Sequence, residues 1–148
     1  MVAKTEKAPR PAATRPLDIL SVDDDELQQL LVRRALQAAG HTSQVSFASD
    51  GKQALEVLRS SPDSRRRLVL LDVHMPRMGG IEFLQQVRAD PKLKRLMVVM
   101  LTSCDNVEEQ REALALNVAG YLYKATNFPK FVSQLRVMTH YWSMMEIP

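Results

Sequence analysis

Residues 17–40 read LDILSVDDDELQQLLVRRALQAAG, and this stretch decides the fold. Leu17 to Val22 is a short apolar run stopped by four acids, which predicts a buried strand. From Asp25 to Ala39 the apolar residues Leu27, Leu30, Leu31, Ala35, Leu36 and Ala38 fall near helical spacing, and Gly40 supplies a stop. The same alternation continues along the chain. QVSFAS (44–49) predicts a strand, and Asp50-Gly51 turns into a helix through Leu58, followed by a loop with Pro62 and several arginines. LVLLD (68–72) predicts a third strand, then an irregular segment with Pro76, Gly79 and Gly80, then a helix through Val87. LMVVML (96–101) ends at Thr102 and leads to a helix through Leu116; AGYLY (119–123) leads to a long helix from about Asn127 to Met145. Five strands separated by helices imply an α/β sandwich with a parallel sheet, because parallel neighbours need crossover connections. Near-continuous apolar strands suit a sheet covered on both faces.

Composition narrows the classes. A chain of 148 residues with 45% apolar side chains has room for one ordinary core. Its one cysteine, Cys104, excludes an internal disulfide framework and fits a reducing cytoplasm. No apolar run approaches the roughly 20 residues that span a bilayer, and the N-terminal region lacks the apolar core of a secretory signal. The formal charge of +3 resides in residues 1–16, where Lys4, Lys7, Arg10 and Arg15 stand against Glu6 alone. That segment, rich in Pro and Ala, is expected to be a disordered tail, with the folded domain spanning 17–148. The remainder is neutral, and the clusters Arg65–Arg67 and Lys92, Lys94 and Arg95 read as solvated loops, so no nucleic-acid partner is expected.

Ligands of open parallel sheets lie beyond the carboxyl ends of the strands, at the switch point of the strand order. Asp23, Asp24, Asp72, Thr102 and Lys124 all fall at predicted strand ends. Each has an ordinary explanation alone. The acids 23–26 favour a helix N-terminus, Asp72 could bond its own turn, Thr102 could cap a helix, and Lys124 could be a surface lysine. Together they make a site. Carboxylates gathered within about 4 Å repel by up to about 4 kcal/mol per pair at an effective dielectric near 20. Cations must offset that cost, and Mg2+ prefers such oxygen ligands.

With these residues in place the sequence resembles the receiver domain of two-component response regulators, the CheY-like family, from residue 17 to about 140. An acidic pair ends strand one (Val22-Asp23-Asp24) and Leu71-Asp72 ends strand three. Val73-His74-Met75-Pro76-Arg77-Met78-Gly79-Gly80 follows, similar to the family's D-x-x-M-P-x-M-x-G loop. Leu101-Thr102-Ser103 and Tyr121-Leu122-Tyr123-Lys124 complete the set. The resemblance implies a flavodoxin-like (βα)5 three-layer sandwich with strand order 2-1-3-4-5. It implies that Asp72 accepts a phosphoryl group from a histidine kinase. Mg2+ would be bound by Asp24, Asp72 and the His74 backbone carbonyl, with Asp23 acting through a water. Lys124 would neutralise the phosphoryl oxygens, Thr102 would bond one of them, and Tyr121 would turn inward as a switch. On this basis the chain is a phosphoacceptor and not an enzyme in the ordinary sense.

The sequence departs from the family's pattern after Lys124, where Ala125 replaces the usual proline. A cis bond before a non-proline residue costs about 2.5–4 kcal/mol, so a trans Lys124–Ala125 peptide is expected. His74 and Cys104 take the positions that flank the attacking water in receivers. His74 reads as an exposed loop imidazole and Cys104 as a half-buried filler. In the last helix Phe128, Phe131, Leu135 and Met138 are expected to form the core stripe. Tyr141, Trp142, Met144 and Met145 then form an apolar end, and an exposed apolar patch of this kind marks an association surface. It resembles the tail of single-domain regulators that partner bacterial phytochrome kinases, and implies a homodimer through the fourth helix, fifth strand and fifth helix. With one domain, output is expected through a partner, through relay to a histidine phosphotransfer protein, or by draining a kinase. Two other classes are separable by experiment. An aspartyl-phosphate hydrolase would use Asp23 as nucleophile, whereas a phosphorylation-independent interaction module would keep its partner after Asp72→Asn.

Overall fold

Strands and helices alternate along the described residues, as the sequence pattern requires. In the computed structural model the described residues are 17–60, 66–75, 77–103 and 105–145. The tail 1–16, the loop at Pro62, Arg65, Pro76, Cys104 and the last three residues lie outside them. The elements are β1 (Asp18–Val22), α1 (Glu26–Ala38), β2 (Val45–Ala48), α2 (Gly51–Ser60), β3 (Arg67–Leu71), α3 (Gly80–Ala89), β4 (Met97–Thr102), α4 (Val107–Ala115), β5 (Gly120–Tyr123) and α5 (Phe128–Met144). They form one parallel sheet in the order β2-β1-β3-β4-β5.

Alternate strand residues feed two cores, one on each face. Leu20, Val22, Val69, Leu71, Val98 and Met100 pack with α2, α3 and α4 through Leu55, Phe83, Leu84 and Ala113. Ile19, Leu68, Leu70, Val99 and Leu101 pack with α1 and α5 through Val32, Leu36, Phe131 and Leu135. The strands are therefore apolar throughout because both faces are covered. The helix ends follow local chemistry. Asp25 caps α1, its carboxylate accepting from the Leu27 and Gln28 amides at 2.9 and 3.4 Å. Gly40, at φ +86°, ends it in a Schellman turn, with the His41 amide donating to the Leu36 carbonyl.

Two expected stripes are corrected. On α1 the buried residues are Val32, Ala35 and Leu36, while Leu27 and Leu30 are 61% and 40% exposed. Leu27 and Leu30 lie on the side of α1 away from Val32, Ala35 and Leu36, so they face outward from the sheet. Phe128 is likewise exposed, because the first residue of α5 starts at the rim of the sheet, and Val132 joins Phe131 and Leu135 in the inward face instead. At the other end of α5, Trp142 packs against the core, and the Arg66 guanidinium caps the helix, donating to the Trp142 carbonyl at 2.8 Å and to that of Met145. Tyr141 and Met144 stay exposed.

Candidate functional site

Strand register builds the site. The last ladder pairs include Val22 with Leu71, Val22 with Ala48, and Thr102 with Tyr123. One residue further on, the Asp23 amide donates to the Ala48 carbonyl at 3.0 Å and the Asp72 amide to the Val22 carbonyl at 2.9 Å. The Lys124 amide donates to the Thr102 carbonyl at 2.8 Å. Asp23, Asp72 and Lys124 are thus held at the same level, just past the carboxyl edge of the sheet. Asp23, Asp24 and Asp72 each offer an oxygen, and these oxygens lie within 4.8 Å of one another.

The three neighbouring acids divide the work. Asp25 is the helix cap. Asp23 is buried, one oxygen accepting from the Asp25 amide at 3.0 Å and the other 3.6 Å from Lys124 Nζ. Asp24 is exposed. Burial raises the Asp23 pKa, opposed by the Asp25 amide and the Lys124 ammonium. Asp72 is pushed up to about 6, first by burial and then by the Asp23 charge, with Lys124 and the His74 amide pulling the other way. A group of hard oxygen donors that repel one another fits a divalent cation such as Mg2+ or Mn2+.

Lys124 is nearly enclosed, its side chain 13% exposed, and Nζ also donates to Gln28 Oε1 at 3.3 Å. Thr102 is fully buried at the end of β4 and is not a cap, since Asn106 caps α4. Tyr121 packs against the core beside α4 and meets Tyr123 edge-on at 5.5 Å, with its hydroxyl out of solvent. The Lys124–Ala125 peptide is trans, as expected.

The loop after Asp72 explains its own motif. A Cβ on Gly80 would lie 2.6 Å from the Asp72 carbonyl oxygen and 2.9 Å from Val73 Cα, so only glycine lets α3 start against the end of β3. Arg77 adopts φ +66° and its guanidinium reaches the buried Asp50 carboxylate at 2.6 Å. Sequence reasoning missed three residues here. His74 is exposed, as expected, yet its Nε2 lies 3.3 Å from Glu109 Oε2 on α4. Gln28 and Gln134 contact Lys124 and the backbone around it. Only the Asp25-x-x-Gln28 spacing, which reads as a helix-capping pair, gave any signal for one of them.

Comparison with known proteins agrees with this geometry. The response regulator receiver domain family matches residues 19–136. The probable methanogenesis regulatory protein FilR2 of Methanothrix harundinacea is 32% identical over 133 residues, covering 88% of this chain and 86% of that protein. Among solved structures, the phosphorylated cyanobacterial phytochrome response regulator RcpA superposes with a TM-score of 0.79 at 29% identity, covering 88% of this chain and 97% of its own. The Mn(2+)-bound form of the response regulator Rcp1 gives 0.76 at 28% identity, covering 90% and 99%. The five-stranded sheet in the order 2-1-3-4-5 is the one these structures share. The chain belongs to the response regulator receiver domain family, whose members are phosphoacceptor proteins paired with histidine kinases in two-component signalling.

Proposed function

We propose that this chain accepts a phosphoryl group on Asp72 from a phosphohistidine, in a reaction that requires Mg2+. The observation that carries the reading is the cluster of Asp23, Asp24 and Asp72 within 4.8 Å, with Lys124 beside it at the sheet edge. An Asp72 oxygen attacks phosphorus, the P–N bond breaks, and the imidazole leaves with the electron pair, giving an acyl phosphate on Asp72. Asp24, Asp72 and the His74 carbonyl would hold the cation, with Asp23 acting through a water, and the bound ion would supply positive charge against the transferring phosphoryl group. Lys124 supplies a second positive charge, already oriented by Asp23 and Gln28. The Thr102 hydroxyl donates to a phosphoryl oxygen, and the movement this asks of β4 biases the neighbouring Tyr121. Turnover on a second substrate is no part of this role.

The partner we propose is a histidine kinase of the phytochrome type, by likeness to RcpA. Val137, Tyr141 and Met144 are exposed on α5 beside the edge strand β5, and they support a homodimer through α4, β5 and α5. A histidine phosphotransfer protein is a further acceptor for the phosphoryl group. The neutral folded part argues against nucleic acid, and no helix among the described residues is long and apolar enough to cross a membrane. A cytoplasmic location fits the lone cysteine and a kinase partner.

The test is to incubate the chain with acetyl phosphate and Mg2+, trap the acyl phosphate with borohydride, and map it by mass spectrometry. Label on Asp72, lost with EDTA and in Asp72→Asn, is expected. Label on Asp23 would instead favour a hydrolase, and no label in millimolar Mg2+ would overturn the proposal.

A further inference from the structure

We propose that Gln134 is a positioning residue for Lys124, a role that rests on the phosphoacceptor reading above. β5 is an edge strand, so β4 secures Lys124 on one side only, through the bond from its amide to the Thr102 carbonyl. On the open side stands the side-chain amide of Gln134, from the second turn of α5. Its Nε2 donates to the Tyr123 carbonyl at 2.9 Å, and its Oε1 accepts from the Ala125 amide at 3.0 Å. These are the two peptide groups on either side of the Lys124 Cα. A primary amide carries one donor face and one acceptor face, as a peptide does. Gln134 therefore does for Lys124 what one residue of a sixth strand would do.

The consequence is directional. A lysine side chain has four rotatable carbons, and its ammonium can settle 3.6 Å from Asp23 Oδ2 and 3.3 Å from Gln28 Oε1 only if its Cα–Cβ bond sets out correctly. Both bonds of Gln134 act on the peptides that set that direction. The residue is half-buried at the rim, where an apolar side chain of equal length would fill the space as well. Its polar atoms are spent wholly on the two links that flank Lys124. A bond acceptor at 134 also demands an N–H at 125, which Ala125 provides and proline would not.

The experiment uses the full chain with Gln134→Met, Lys124→Met and the double variant. The rate of phosphorylation by acetyl phosphate at saturating Mg2+ is expected to fall by about tenfold in Gln134→Met, given that misplacement by about 1 Å costs up to about 100-fold. The Mg2+ half-saturation is expected to stay within about twofold. In the Lys124→Met background the same change is expected to have no further effect on rate, because the two residues act as one unit. Acetic anhydride footprinting supplies a readout free of phosphotransfer: Lys124 is expected to label several-fold faster in Gln134→Met while the other lysines are unchanged. Independent effects of the two substitutions, or unchanged Lys124 labelling, would overturn the proposal. Should methionine unfold the chain, Gln134→Glu keeps the acceptor for Ala125 and loses the donor, and it is held to the same comparisons. If the natural chain takes no phosphoryl group, the phosphoacceptor reading falls and the footprint still decides this one.

Discussion

Replacing Asp72 by asparagine is expected to stabilise the metal-free protein. The oxygens of Asp23, Asp24 and Asp72 lie within 4.8 Å of one another. At that distance each charged pair repels by about 3.5 kcal/mol at an effective dielectric of 20 and by about 0.9 kcal/mol in water. The Asp72 carboxyl moves from its ordinary 3.8 to about 6, chiefly through burial and the Asp23 charge. At about 1.4 kcal/mol per tenfold, that corresponds to about 3 kcal/mol. The group is only half-buried, and solvent screening reduces the figure to about 1–2 kcal/mol. Because folding raises this pKa, the folded state holds the proton more tightly than the unfolded one. The contribution to stability is full below pH 3.8 and is lost as pH rises through 6. In EDTA at pH 7.5, Asp72→Asn should therefore raise the midpoint of thermal unfolding by about 3–6 °C for a domain of this size. The gain should shrink as the pH is lowered toward 4. Mg2+ at about 100 times its Kd should add about 2.7 kcal/mol to the natural protein and much less to the variant. A variant no more stable than the natural protein in EDTA would refute the electrostatic argument, as would a natural protein indifferent to Mg2+.

Three further outcomes are expected. Arg88 donates to the carbonyls of Leu116, Lys94, Leu96 and Asn117 at 2.7, 2.9, 2.9 and 3.0 Å, tying the loops before β4 and β5 together. Arg88→Ala should cost about 3 kcal/mol in urea unfolding, with the site chemistry intact once folded. Gly80→Ala places a Cβ against the Asp72 carbonyl and should cost about 1–3 kcal/mol while slowing phosphorylation, since relief requires β3 to shift; an unaltered rate counts against the close contact. Ala125→Pro removes the N–H that bonds Gln134 and should change the acyl-phosphate half-life, followed by the decay of radiolabel.

The sheet was legible because burial on both faces leaves a continuous apolar run, and every such run in the sequence became a strand. Asp72 and Lys124 were legible for the same reason: each ends a run, and the register then brings together residues that are distant in sequence. Side chains outside that register gave less away. Leu27 and Leu30 are at helical spacing from each other, but spacing does not say which apolar stripe of α1 meets the sheet, and Phe128 has the right face at a helix end that reaches past it. Lys124 and Gln28 stand 96 residues apart, and His74 and Glu109 stand 35 apart, so neither contact has a local pattern. Gln134 is nine residues from Ala125, across a loop whose path no residue type announces.

The acids also show why Asp72, and not Asp23, is the nucleophile in this reading. A carboxylate that attacks phosphorus needs an oxygen with a free lone pair and an approach from solvent. Asp23 lacks the approach: it is 4% exposed, one oxygen accepts from the Asp25 amide and the other faces the Lys124 ammonium. Its charge is fixed in place and orients the lysine. Asp72 is more open, and the bond its carboxylate accepts from the His74 amide is long at 3.4 Å. Burial, and after it the Asp23 charge, raise its pKa, which leaves it more basic and a better nucleophile once the proton is lost. The difference between the two follows from what comes after each strand. Asp23 runs straight into the capped start of α1, whose Asp25 amide and Gln29 side chain bond it. Asp72 is followed by a longer loop that reaches α3 only at Gly80 and leaves its carboxylate half-exposed.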